Sequence, residues 1–269
     1  MVGLGGLGFA AAGAAAQGPN APPTYRVLAP GTWQELPAVV RGGAGAGRWT
    51  RRQESNAELL SEPGVGPILR IHFPQGHRGG TAPQSVRFPF PEPSPGVYIA
   101  FRFRASSGFT FNGNTQTKGA WLRRTGDPGS GFIVPQFRRG GSGGRRGGDQ
   151  SGANPLVPSW NMQGLPDSDA KIVANLSPQV DLNDGKWHLI EMQMIASSQQ
   201  GASDGVASMW IDGRPYFRYP SVKYFGPAWP HELSFNHFRI EPTYGGGRNP
   251  SPRDQYFDFG PIYISGGPR

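Results

Sequence analysis

An all-β fold, specifically a two-sheet antiparallel β-sandwich of jelly-roll type, is what the sequence predicts, and three observations predict it. Short segments of alternating apolar and polar residues recur along the chain, the period of a strand with one face in a core. Gly, Pro, Asn and Asp bound these segments, and the 42 Gly and 28 Pro of the 269 residues punctuate it at turn spacing. No stretch sustains a helical period with caps at its ends. A chain of this length can bury a core of ordinary size within one sandwich.

Each segment divides into two rows by the alternation of strand side chains. Ile68–Phe73 puts Leu69, Ile71 and Phe73 inward and leaves Arg70 and His72 outward. Val97–Ala105 gives Val97, Ile99, Phe101 and Phe103 to the core and Tyr98, Ala100, Arg102 and Arg104 to the other side. Gly131–Arg138 and Tyr256–Ser265 read as further strands. Lys186–Ala196 places Ile190, Met192 and Met194 in one row and Trp187, Leu189, Glu191 and Gln193 in the other. In Val206–Asp212, Ala207, Met209 and Ile211 point in while Ser208 and Trp210 point out. In Phe235–Glu241, Phe238 and Ile240 point in, and His237, Arg239 and Glu241 share the far face. Asp184-Gly185, Asp204-Gly205 and Asp212-Gly213 stand where hairpin turns are needed.

The expected organisation is a signal-like or disordered segment over 1–24 and one sandwich domain over 25–269. The small apolar run Met1–Ala16 ends on Ala14-Ala15-Ala16, which resembles a signal-peptidase site, so secretion is expected. That run is too short to span a bilayer, and no transmembrane segment is expected. Residues 138–152 (RRGGSGGRRGGDQSG) are too polar to pack and read as a long solvated loop.

Composition narrows the chemistry. The absence of cysteine excludes a disulfide framework, a thiolate metal site and a cysteine nucleophile. The formal charge of +8 favours anionic partners. Nucleic acid is not the expected one, because the Arg/Gly loop lacks interleaved aromatic residues for stacking. No nucleotide cofactor is expected, since Gly3-x-Gly5 and Gly245-Gly246-Gly247 lack the strand–helix setting that cradles phosphate. The five histidines, His231 among them, show no zinc spacing, and Asp167 and Asp169 lack the ligand ladder of a calcium loop. His188, beside apolar neighbours, is expected to be structural.

Pooling the outward rows collects Arg70, His72, Arg102, Arg104, Glu191, Gln193, Trp210, His237, Arg239 and Glu241 on one open sheet face. An indole stacks on the apolar face of a pyranose, and planar polar groups bond hydroxyls and carboxylates, so the set suits a sugar chain. An ordinary solvated face is the alternative, and a one-residue bulge reverses any row.

The segments DGKWHLIEMQM (Asp184–Met194), DGVASMWIDGRPYF (Asp204–Phe217), FNHFRIEPTYGGG (Phe235–Gly247) and DQYFDFGPIYISG (Asp254–Gly266) together resemble the concanavalin A-like lectin/glucanase superfamily. Upstream, ILRIHFPQGHRGG (Ile68–Gly80) and NTQTKGAWLRR (Asn114–Arg124) resemble strands of its jelly-roll polysaccharide lyases, so the likeness covers roughly residues 30–266. It implies a concave sheet face that binds an acidic polysaccharide and, in a lyase, cleaves it by β-elimination. On that reading Arg102, Arg239 and Gln193 neutralise a uronate carboxylate, His237 or His72 takes the proton, and Tyr98 protonates the leaving oxygen. Arg70, His72, Arg104, Lys118, Glu191, Trp210 and Glu241 would bind substrate.

The resemblance also implies a structural calcium ion held through Asp258, for which a salt-bridging aspartate is the alternative; no other cofactor is required. The chain departs from the family in lacking the Arg-Glu-Arg, Gln-Ile-His and Tyr-Lys-Tyr triplets of alginate lyases. It also lacks the Glu-x-Asp-x-x-Glu strand of the retaining glucanases, whose carboxylates stand about 5 Å apart. The expected function is a secreted protein that binds a uronate-containing polysaccharide on a concave sheet face, with its cleavage by β-elimination left open. The alternatives are a non-catalytic lectin-like module and a structural surface or filament subunit.

Overall fold

The computed structural model describes residues 19–22, 26–29, 56–111, 116–124, 131–139, 156–163, 180–224, 234–245 and 249–268. The expectations for Met1–Ala16, for most of the Arg/Gly loop, and for Asp167, Asp169, His231, Gly246 and Gly247 lie outside these residues. Among the described residues the chain forms thirteen strands. They are β1 (Arg26–Ala29), β2 (Ala57–Glu62), β3 (Gly66–Phe73), β4 (Val86–Ser94), β5 (Gly96–Ala105), β6 (Gln116–Arg124) and β7 (Gly131–Arg139). They continue with β8 (Leu156–Gln163), β9 (His188–Ile195), β10 (Gly205–Ile211), β11 (Arg214–Val222), β12 (Phe235–Thr243) and β13 (Gln255–Gly267). No helix among them is long and apolar enough to cross a membrane.

Two antiparallel sheets result. The larger runs β11-β10-β9-β5-β13-β3-β2, with β1 also paired to β13; the five-stranded sheet runs β4-β12-β6-β7-β8. The inward rows meet between them as the alternation predicts. Phe103 of β5 stacks on Phe137 of β7 with centroids 4.4 Å apart, and Phe101 meets Phe238 of β12 at 6.3 Å. Met192, Met194, Met209, Phe257 and Phe259 are buried in the same core. Each such side chain contributes about 1.5–3 kcal/mol relative to exposure, so a strand that slipped by one residue would lose its whole row.

The turns divide. Asp212-Gly213 closes the β10–β11 hairpin with φ of 53° and 75°, both central residues left-handed as a type I′ turn requires. Gly185 also has positive φ, but its turn precedes β9 and does not join paired strands. Asp204-Gly205 is not the β9–β10 turn. That bend lies a few residues earlier, where Ala202 N–H donates to the Gln199 carbonyl at 3.1 Å.

Gly205 opens β10 for a different reason: a Cβ there would stand 2.5 Å from the Tyr224 ring and 2.6 Å from the Val222 carbonyl oxygen. Gly205→Ala is therefore expected to destabilise the fold by about 1–3 kcal/mol through overpacking. A lowered denaturation midpoint at unchanged m-value checks it; an unchanged midpoint would show that Tyr224 moves aside without cost.

Candidate functional site

The pooled face of the sequence reading does not exist as one surface. The inward and outward rows are correct within each strand, but the strands belong to different sheets. His237, Arg239 and Glu241 lie on β12 of the five-stranded sheet, whereas Arg70, His72, Tyr98, Arg102, Arg104, Glu191, Gln193 and Trp210 lie on β3, β5, β9 and β10 of the larger one. Packed sheets stand about 10 Å apart, so the two sets occupy opposite outer sides of the sandwich.

On the larger sheet the outward row is engaged in structure. Asp258, fully buried, receives Arg70 through two bonds of 2.7 and 3.0 Å and Arg104 at 2.7 and 2.9 Å. Arg104 continues to Glu62 at 2.9 Å and lies over the Trp187 ring at 4.3 Å. The Trp187 indole N–H donates to Glu62 at 3.0 Å; this bond, opposed by burial and assisted by Arg104, holds the Glu62 carboxyl below its ordinary range. His72 meets Glu58 at 3.3 Å, and Arg102 donates to the Gly64 carbonyl at 3.2 Å. His188 is clamped between Asp212 and Asp184 at 2.9 and 3.1 Å.

The Tyr98 hydroxyl donates to Glu191 at 2.6 Å, and both residues are fully buried. Burial, with the Glu191 bond and charge, pushes the phenol far above its ordinary range. Asn20 covers the pair, donating from its backbone N and its Nδ2 to the Glu191 carboxylate at 3.1 Å. Gln193 and Trp210 flank this covered patch in register with Tyr98 and Glu191. Tyr98 is therefore buried with its hydroxyl engaged by Glu191 and is not an acid on an open face.

The residues around Asp258 do not fit a cation. Both carboxylate oxygens are taken by guanidinium groups, which place positive charge where a calcium ion would stand. Among the described residues no group of three His, Asp or Glu is arranged to hold a metal. The geometry is that of the salt-bridging alternative.

The outer side of the five-stranded sheet is different in kind. Phe238 and Ile240 anchor β12 in the core, so His237, Arg239 and Glu241 project away from it. In register beside them, β6 sets Trp121 against Arg239 and Arg123 against His237, while β4 sets Arg87 against Arg239. Lys118 joins the same side although simple alternation from Trp121 would send it inward. Gly119 and Ala120 are both buried, and the β6–β12 register shifts between Ile240 and Thr243; this irregularity restores Lys118 to the outer face. A Cβ at Gly119 would come within 2.6 Å of the Phe137 ring, so the kink needs glycine.

The cations gather on one indole. The Lys118 ammonium lies 4.7 Å from the Trp121 ring centre, and the Arg123 and Arg239 guanidinium carbons lie at 4.4 and 6.0 Å. Arg239 pairs with Glu241. Arg87 reaches the His237 Nδ1 at 3.3 Å, the same nitrogen that stands 2.6 Å from the Asn236 amide oxygen. Burial lowers the Lys118 pKa below its ordinary value, with Glu241 opposing and Arg123 and Arg239 adding to the fall. Burial raises Glu241, against the pull of Arg239, Arg123 and Lys118. The Nε donors of Arg87 and Arg239 and the Trp121 Nε1–H have no acceptor among the described residues. An anion at about 4 Å from one such cation gains about 4 kcal/mol at an effective dielectric of 20.

Of the sequence-predicted set, this face thus brings together Lys118, His237, Arg239 and Glu241 and omits the rest. It adds Arg87, Trp121 and Arg123. The last two lie in the NTQTKGAWLRR segment, where Lys, Trp and Arg share one side once the Gly119 irregularity is allowed for.

No family model and no curated protein matches the sequence. Solved structures do match its shape. Alginate lyase Aly36B superposes with a TM-score of 0.60 at 14% identity, covering 89% of this chain and 92% of that one. A double mutant of Aly36B in complex with alginate trisaccharide gives 0.59 at 14% identity, over 91% of this chain and 98% of that one. The PL-14 alginate lyase from Aplysia kurodai gives 0.51 at 13% identity, over 79% and 87%. Identities this low speak to fold alone. The chain is a jelly-roll β-sandwich that resembles these alginate lyases in fold.

Proposed function

We propose that the outer face of the five-stranded sheet binds a uronate polysaccharide and cleaves it by β-elimination. The observation that carries this reading is the convergence of Lys118, Arg87, Arg123 and Arg239 on one sheet face, partly dry, in a fold shared with alginate lyases. A uronate C5–H becomes acidic only when its carboxylate charge is neutralised. Arg239, fork-shaped and central, is assigned that task, with Arg123 and Arg87 beside it.

Lys118 is assigned as the base. Burial favours its neutral amine, which the removal of a proton requires. The amine takes the C5 proton, the electron pair forms the C4–C5 double bond, and the C4–oxygen bond breaks. The departing oxygen then receives a proton from the ammonium so formed. No tyrosine among the described residues stands on this face to do so. His237, one register position away, lines the bound chain.

The test is the ultraviolet absorbance of the conjugated product during incubation with polymannuronate, polyguluronate and polyglucuronate. Turnover of at least one polymer, rising as pH climbs through the Lys118 pKa, is expected. Lys118→Ala should lower kcat by about 10²–10⁴-fold, the range of a lost general base, while the polymer still binds. Binding without turnover in the native protein would select the lectin-like alternative, and neither binding nor turnover would end the reading.

A further inference from the structure

Carbohydrate sites commonly offer an aromatic ring as a platform for the apolar face of a sugar. Trp121 occupies the centre of the cationic face but cannot serve in that way. It is only 5% exposed, and Lys118, Arg123 and Arg239 surround its ring. We infer that Trp121 is a positioning residue whose ring gathers these three cations into a preassembled cluster, so that the site reads the charge of a uronate rather than the face of its ring. This rests on the uronate-binding reading of the same face.

Three physical arguments support it. Long cationic side chains on a sheet surface repel one another and extend into water unless something holds them. The negative face of an indole is a neutral group that attracts ammonium and guanidinium alike, more strongly than a phenyl face does. Opposite charge is scarce here: one carboxylate, Glu241, pairs with Arg239 and attracts Arg123 and Lys118, and the ring is the neutral group that all three also approach.

The backbone points the same way. The irregularity at Gly119 and Ala120 is what brings Lys118 beside Trp121. Around the ammonium stand Trp121 and Arg123 of its own strand, Arg239 and Glu241 of β12, and, one strand further, Arg87 of β4. On the other side, Gln136 of β7 is its register partner.

The experiment compares Trp121→Phe, which keeps an aromatic face, with Trp121→Leu, which keeps only bulk. The first readout needs no substrate. The sequence has four lysines, so the Lys118 side chain can be followed by heteronuclear NMR titration. Loss of the ring face removes a stabiliser of the ammonium, so Lys118 should titrate at lower pH in the leucine variant and close to native in the phenylalanine one.

The second readout is steady-state kinetics. KM for the polyuronate should rise about tenfold in Trp121→Leu and less than about threefold in Trp121→Phe, as loss of cation–π contacts predicts. Identical Lys118 titration in the native and leucine forms would overturn the proposal. So would equal kinetic losses in both variants accompanied by equal falls in thermal midpoint, which would make the ring mere packing. If the native protein turns over no polyuronate, the lyase reading falls while the titration still decides the role of the ring.

Discussion

Arg239→Ala is expected to lower kcat/KM for a uronate polymer by about 10²–10³-fold, the scale on which one preorganised charge stabiliser acts. Arg102→Ala, on the opposite side of the sandwich, is expected to change it by less than about twofold, within the reach of an ordinary surface substitution. The contrast follows from sheet membership: β12 is in the five-stranded sheet and β5 in the larger one. Arg239 stands in register with both Trp121 and Arg87, so its removal opens the middle of the cationic row. It also leaves Glu241 without its ion pair, which would cost some stability. Arg239→Lys separates the two effects, since it keeps the charge but loses the two-pronged geometry that suits a carboxylate. A folded lysine variant with most of the loss would support the neutralising role. Equal losses in the Arg102 and Arg239 variants would remove the site from this face.

The contrast also shows how far the sequence could be read. Parity within a strand is a local property, and the core rows of β3, β5, β9, β10 and β12 were legible because one face of each is continuously apolar. Which sheet a strand joins is non-local, and no residue in β12 announces that it pairs with β6 rather than with β9. Six strands escaped the pattern; four of them, β2, β4, β8 and β11, end the two sheets, and the others are β1 and the interior β6, whose alternation is broken at Gly119. Edge strands tolerate proline and mixed polarity because one side of their backbone makes no ladder, and β4, β8 and β11 all contain proline. The irregularity at Gly119 hid Lys118 from alternation, although likeness to the lyases drew attention to its segment. The engagement of Glu191 was equally hidden, because one of its partners is Asn20, 171 residues away in sequence.

The largest loss of stability is expected from Asp258→Ala, on the side away from the proposed site. Asp258 is fully buried, while the Arg70 and Arg104 side chains keep 21% and 17% exposure. Alanine would leave two guanidiniums facing each other across an empty carboxylate position. Removing one partner of a buried pair costs about 3–5 kcal/mol; the residual hydration of both arginines argues for the lower end, about 3 kcal/mol. The loss should reach beyond β13, because Arg104 also carries Glu62 of β2, and Glu62 in turn holds Trp187 ahead of β9. Chemical denaturation checks it as a lowered midpoint. Folded Asp258→Ala protein should retain turnover, since nothing on the cationic face touches this network. Calcium offers the opposing outcome: it should leave the native thermal midpoint unmoved, because the guanidiniums already neutralise Asp258. A midpoint raised by calcium in the native protein but not in Asp258→Ala would mean that the arginines yield the carboxylate to a cation.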